Sequence, residues 1–121
     1  MRNLFLKICL SSFIFTQNDV CFEIESNLNN NSAFSCFSKY IRVLDCFDVY
    51  AQSSISDEKI LHVAAVAAEL LDNNEDGVVD DLILKNRLSN SGALMPIFTS
   101  DGNSCMNSFE NNYNGNGVSA V

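Results

Sequence analysis

Residues 57–92 read DEKILHVAAVAAELLDNNEDGVVDDLILKNRLSNSG, and the changes of pattern along this stretch decide the fold. Ile60, Ala64, Ala67 and Leu71 recur at spacings of four, three and four, which is the period of one helix face. Leu61, Val63, Ala65, Ala68 and Leu70 widen that face. Upstream, Ser54 and Ser56 offer capping hydroxyls, and Asp57 and Glu58 suit the positive end of a helix dipole. A helix over 57–71 is therefore predicted. Leu82, Ile83, Leu84 and Leu88 predict a second, shorter helix, with Gly92 as its stop. The ten residues between the two helices are polar, acidic and contain a glycine.

In those ten residues, oxygen-bearing side chains fill the first five positions. Asp72, Asn74 and Asp76 stand at loop positions one, three and five, and Gly77 at six, where the chain must turn sharply. Val78 follows with a backbone carbonyl to offer, then apolar Val79, then Asp80, able to bind directly or through a water. This run resembles the calcium loop of the EF-hand family, and more closely the looser grammar of dockerin-like extracellular loops. The resemblance covers about residues 57–88 and implies one calcium ion held by Asp72, Asn74, Asp76, the Val78 carbonyl and Asp80. The charge pattern points the same way. Glu69, Asp72, Glu75, Asp76, Asp80 and Asp81 place six of the 15 acids within 13 residues, with no Lys or Arg among them. Carboxylates crowded in this way repel unless a hard cation lies between them, and an all-oxygen donor set favours calcium over zinc or copper. One position departs from the family pattern: Ile83 stands where a bidentate Glu is expected. Either Asp81, a distant acid or water then completes the shell, or affinity is weak, and extracellular calcium would tolerate a weak site with a Kd on the order of 10⁻⁴–10⁻³ M. The stretch 101–106 does not repeat the grammar, because Cys105 and Met106 occupy its fifth and sixth positions; it reads as a turn. A single loop implies a structural ion that fixes the angle between two helices.

On either side of the helical block lie strands. Ala93 to Thr99 predicts one, with Pro96 demoting it to an edge or a bend. Ile41, Val43, Phe47 and Val49 share one parity and predict a single strand over about 41–50, although Phe37, Tyr40, Ile41, Leu44 and Phe47 also suit a helix face. The expected class is α+β, in the order strand, helix, calcium loop, helix, strand. Asn-rich tracts at 27–31 and 111–116 read as loops, and 105–121 as a flexible tail.

The first 18 residues look like an address. Arg2 and Lys7 precede an uncharged run from Ile8 to Thr16, the layout of a secretory signal. The run is shorter than the roughly 20 apolar residues that span a bilayer. The other reading is a mature amphipathic or strand segment. The expected organisation is thus a signal over 1–18, a domain over 19–104 and the tail. Removing the signal takes Arg2, Lys7 and Cys9, and moves the formal charge from −8 to −10. Cys21, Cys36, Cys46 and Cys105 remain, an even number that suits a secreted, oxidised protein with up to two disulfides among three possible pairings. Four reduced, buried thiols are the alternative. Asn30-Asn31-Ser32 is the one N-x-[ST] match and makes Asn30 a glycosylation candidate. With 7 basic against 15 acidic residues, a nucleic-acid partner is not expected, nor is a membrane partner once the signal is removed.

Catalytic signals are sparse. His62 is the single histidine, so no H-E-x-x-H zinc motif exists. It reads as a residue at the edge of the core. No G-x-S-x-G elbow and no phosphate-binding glycine loop is present. A second resemblance rests on His62-Val63-Ala64-Ala65, Leu71 to Asp81 and Ala93-Leu94-Met95. These look like the N-terminal part of larger secreted proteins, some metallopeptidase-like, whose metal ligands lie further downstream. It implies a truncated hydrolase as one alternative. An extracellular interaction module whose face is ordered by calcium is the other.

Overall fold

The computed structural model describes residues 22–114, so the expected signal over 1–18, Cys21 and the end of the expected tail lie outside it. The fold is α+β: a four-stranded mixed sheet with three helices. The elements run β1 (Glu25–Ser26), a short 3₁₀ helix (Ser32–Phe34), β2 (Lys39–Val43), β3 (Phe47–Ala51), α1 (Asp57–Leu71), α2 (Leu82–Ser91), β4 (Leu94–Ile97) and α3 (Ser104–Asn112). Strand order is β1-β2-β3-β4. The first two pairings are antiparallel and β3–β4 is parallel. A parallel pair needs a long crossover, and the block from α1 to α2 supplies it.

The region expected as one strand over 41–50 is instead a hairpin. Val43 pairs with Phe47 across a tight turn at Leu44–Cys46, and the Cys46 N–H donates to the Val43 carbonyl at 3.0 Å. Leu44 and Asp45 both take positive φ, 47° and 60°, as a turn matched to strand twist requires. The single-parity pattern survives the turn because paired residues point to the same face. Ile41, Val43, Phe47 and Val49 therefore read as continuous even though the chain reverses between them.

The two faces of the sheet bury different chemistry. Ile41, Val43, Val49 and Ala51 pack with Ile55, Ile60, Ala64 and Ala68 in an aliphatic core under α1. The Ser56 side chain caps α1 by accepting the Lys59 N–H, and Asp57, in the first turn, pairs with Lys39 at 2.8 Å. The opposite face is aromatic. Tyr50 joins Ala33, Phe34, Phe37, Leu94, Cys105 and Phe109, with Tyr40, Phe98 and Tyr113 at the margin. Phe109 meets Phe34 and Phe37 edge-on, with ring centroids 5.5 and 5.7 Å away.

This second face corrects the first part of the expected flexible tail, up to Asn112. Ser104–Asn112 form α3, capped by the Asn103 side chain on the Met106 N–H, with Cys105 and Phe109 buried one turn apart. A disulfide joins Cys36 to Cys105 across 69 residues and ties α3 to the segment after the 3₁₀ helix. Cys46 is a free, buried thiol.

β4 lies at the sheet edge, as Pro96 suggested. The Asp48 N–H reaches the Ala93 carbonyl and the Gln52 N–H reaches that of Ile97. The backbone groups of odd-numbered residues in β4 therefore face β3. Pro96 sits where its missing donor would have pointed away from the sheet.

Candidate functional site

The acidic loop hangs between the end of α1 and the start of α2. Asp72 is the C-cap of α1, and its N–H still donates to Ala68 at 2.8 Å. Its side chain is the one buried charged group among the described residues, with 2% exposure. The Asp72 carboxylate accepts the Gly77 N–H at 2.7 Å and the Asp76 N–H at 3.2 Å, drawing the far side of the loop back over itself. Asn74 accepts from Asp76 at 3.1 Å, and Asp76 accepts from Val78 at 2.9 Å. Asp80 closes the loop twice: its N–H donates to the Leu71 carbonyl at 2.9 Å, and its carboxylate accepts the Asn73 N–H at 2.7 Å. Gly77 has φ +86°, and a Cβ at this position would meet open space; torsion, not crowding, is what calls for glycine. Val79 is buried and anchors the returning arm of the loop.

Each sequence-predicted ligand thus lies in one closed loop, and each of the three side-chain carboxylates spends at least one oxygen on a backbone N–H. A carboxylate offers about four lone-pair sites, so these bonds leave acceptor capacity on Asp72, Asp76 and Asp80. All the donors are oxygens, which suits calcium. The ion pairs among the described residues are Lys39–Asp57 and Arg42–Asp48, so no basic side chain there neutralises the loop. Against this, no group of three or more His, Cys, Asp or Glu among the described residues converges as a metal cluster.

The twelfth position is filled by an apolar side chain without oxygen, and Ile83 is 67% exposed at the start of α2. Asp81, a candidate to replace it in the shell, is the N-cap of α2. Its Oδ1 accepts the Ile83 and Leu84 N–H groups at 2.9 and 3.1 Å, so that oxygen is committed to the helix. Helix α2 ends at Gly92, which takes φ 68° and donates back to Leu88 and Ser89. This is the glycine stop expected from the sequence.

His62 is exposed on α1 rather than set at the edge of the core, and its side chain makes no hydrogen bond among the described residues. Cys46 is buried, and burial pushes its thiol pKa up, away from the reactive thiolate. Tyr40 is pushed up to about 12, first by burial and then by the charge of Asp48, to which it donates at 3.0 Å. The sequence gives no site signal for an open groove of about 560 Å³ beside β1, whose walls include Glu23, Glu25, Asn27, Asn29, Tyr40 and Tyr50. No described helix is long and apolar enough to cross a membrane. Comparison with protein-family models, with curated proteins and with solved structures finds no match to this chain.

Proposed function

We propose that the chain is a secreted protein that binds one calcium ion through the loop Asp72–Asp80, and that the ion is structural. The observation that carries this reading is the buried Asp72 carboxylate at the head of an acidic loop that no described basic side chain pairs. A buried charge without a counterion is costly, and a hard cation relieves it. Asn74, Asp76, the Val78 carbonyl and Asp80 supply the remaining protein oxygens, and water fills the place left by Ile83. The chain's own residues then do two things. They hold the loop closed through backbone donors, and they set the start of α2 through Asp81.

A second reading is favoured by one observation. Leu82, Ile83 and Leu84 are exposed on α2, and Leu70 and Val78 are exposed nearby in sequence. An ion that orders the loop also orders this apolar face, which suits an interaction module.

Calorimetric titration with calcium, with thermal melts alongside, tests the reading. About one site and a melting temperature that rises with calcium are expected, because a ligand that binds only the native state stabilises it. Asp72→Ala and Asp76→Ala are each expected to abolish the heat. Unchanged affinity in both variants would remove the site from this loop, and no heat up to millimolar calcium would leave the loop a solvated turn.

A further inference from the structure

We propose that Asn30 is an N-glycosylation acceptor that takes an oligosaccharide on its side-chain amide nitrogen. The proposal rests on the reading of the chain as secreted, and it goes beyond the calcium loop. Asn30-Asn31-Ser32 is the single acceptor triplet in the sequence, but a triplet alone says little in a chain rich in asparagine. The structure separates Asn30 from its neighbours. Asn27, Asn29 and Asn31 form a ladder along the segment between β1 and the 3₁₀ helix. The Asn27 side chain accepts the Asn29 N–H, that of Asn29 accepts the Asn31 N–H, and that of Asn31 accepts the Ala33 N–H, each at 2.9 Å. Asn27 also donates to the Phe34 and Phe37 carbonyls at 2.9 Å, and Asn29 to the Tyr50 hydroxyl at 3.2 Å. These three amides are committed to holding the segment on the aromatic face.

The Asn30 side chain, alone of the four, makes no hydrogen bond among the described residues, and it is exposed. Ser32, whose hydroxyl completes the triplet, is exposed as well, and Asn31 between them is extended, with φ −73° and ψ 129°. A glycan on Asn30 therefore displaces no contact and points into solvent. Leu28, two residues away, is 86% exposed, so the segment around the acceptor is open to solvent. The Cys36–Cys105 disulfide, which begins six residues further on, is stable in the oxidising compartment where such transfer occurs.

The donor is an oligosaccharide carried on a lipid pyrophosphate. The amide nitrogen attacks C1 of the first sugar, a C–N bond forms, and the C–O bond to the pyrophosphate breaks. The lipid pyrophosphate leaves with the electron pair, and the amide proton passes to a base of the transferase. No oxidation or reduction takes place.

The test expresses the full chain in a eukaryotic secretory cell and examines both medium and cell extract. A single mobility shift is expected, removed by an amidase that strips N-glycans and leaves aspartate at position 30 in peptide mass spectra. The shift is expected to vanish in Asn30→Gln and Ser32→Ala and to persist in Ser32→Thr. A shift that survives Asn30→Gln overturns the assignment. A chain that reaches the medium with Cys36 and Cys105 joined but bears no glycan overturns the proposal and leaves the secreted reading standing. A chain kept in the cytosol without a glycan overturns both.

Discussion

Helices α1 and α2 are joined by ten residues, yet they are held in different ways. α1 buries Ile60, Ala64 and Ala68 against β2 and β3. α2 buries no residue at all. Its order comes from its ends, through the Asp81 cap and the Gly92 stop, and from the loop that leads into it. A helix held by a packed face tolerates change in the loop beside it. A ten-residue helix without a packed face is marginal alone, since isolated helices below about 12–15 residues barely form in water. The sheet, α1 and α3 therefore make one stable body, while the acidic loop governs α2. Calcium in that loop would act chiefly on α2 and leave the body almost as it is.

The sharpest way to break this division is to damage the body. Phe109→Ala empties the centre of the aromatic face and is expected to cost about 3–5 kcal/mol, as buried Phe-to-Ala changes do. Denaturant unfolding measures it, and a loss below about 1 kcal/mol would mean that α3 is not part of the body. Next in size is the disulfide. Replacing both Cys36 and Cys105 with serine frees a loop of 69 residues and should cost about 4 kcal/mol by chain entropy. The reduced wild-type protein should lose a similar amount. A smaller effect comes from alkaline pH. Tyr40 has a pKa raised from 10.0 to about 12 in the fold, so its contribution is full below pH 10.0 and is lost as pH rises through about 12. Burial also holds Tyr50 and Tyr113 above the ordinary tyrosine value, so tyrosinate absorbance should rise late, and Tyr40→Phe should remove the part of that rise centred at about pH 12. Smallest of all is Ile83→Ser on α2, expected within about 0.5 kcal/mol of neutral because Ile83 is exposed. A large loss there would show that α2 is packed and would erase the distinction between the two helices.

Much of the α1 side was legible in the sequence. Fifteen residues of steady period, with Ser56 ahead and a polar loop behind, state a helix and its limits. Gly92 stated the end of α2 in the same local way. The aromatic side was harder to read because its logic is not local. In α3, only Cys105 and Phe109 are buried, and two positions over nine residues do not establish a period. Their partners, Phe34, Phe37 and Cys36, lie about 70 residues earlier in the chain. Asn103 caps α3 in the structure, whereas the stretch 101–106 read as a turn in the sequence. In the candidate site, the spacing of the oxygens was legible, and in the fold those side chains accept backbone N–H groups of their own loop. The burial of Asp72 and the use of Asp81 as a helix cap depend on how the chain packs, which spacing does not reveal.

The two margins of the sheet bear on how copies of the protein meet in a crowded fluid. A free strand edge is a template on which another chain can add its own strand. Along β4, the positions whose backbone groups face outward are Leu94 and Pro96, so this line keeps one donor where an ordinary strand would show two. On the opposite margin, β1 is only two residues long. Among the described residues, neither border offers a ladder long enough for a second sheet to grow from it. A mutation that restored the donor, such as Pro96→Val, would give that border a second donor while leaving the pairing with β3 intact, so that only the burial of positions 94 and 96 would still shield it from a neighbouring chain.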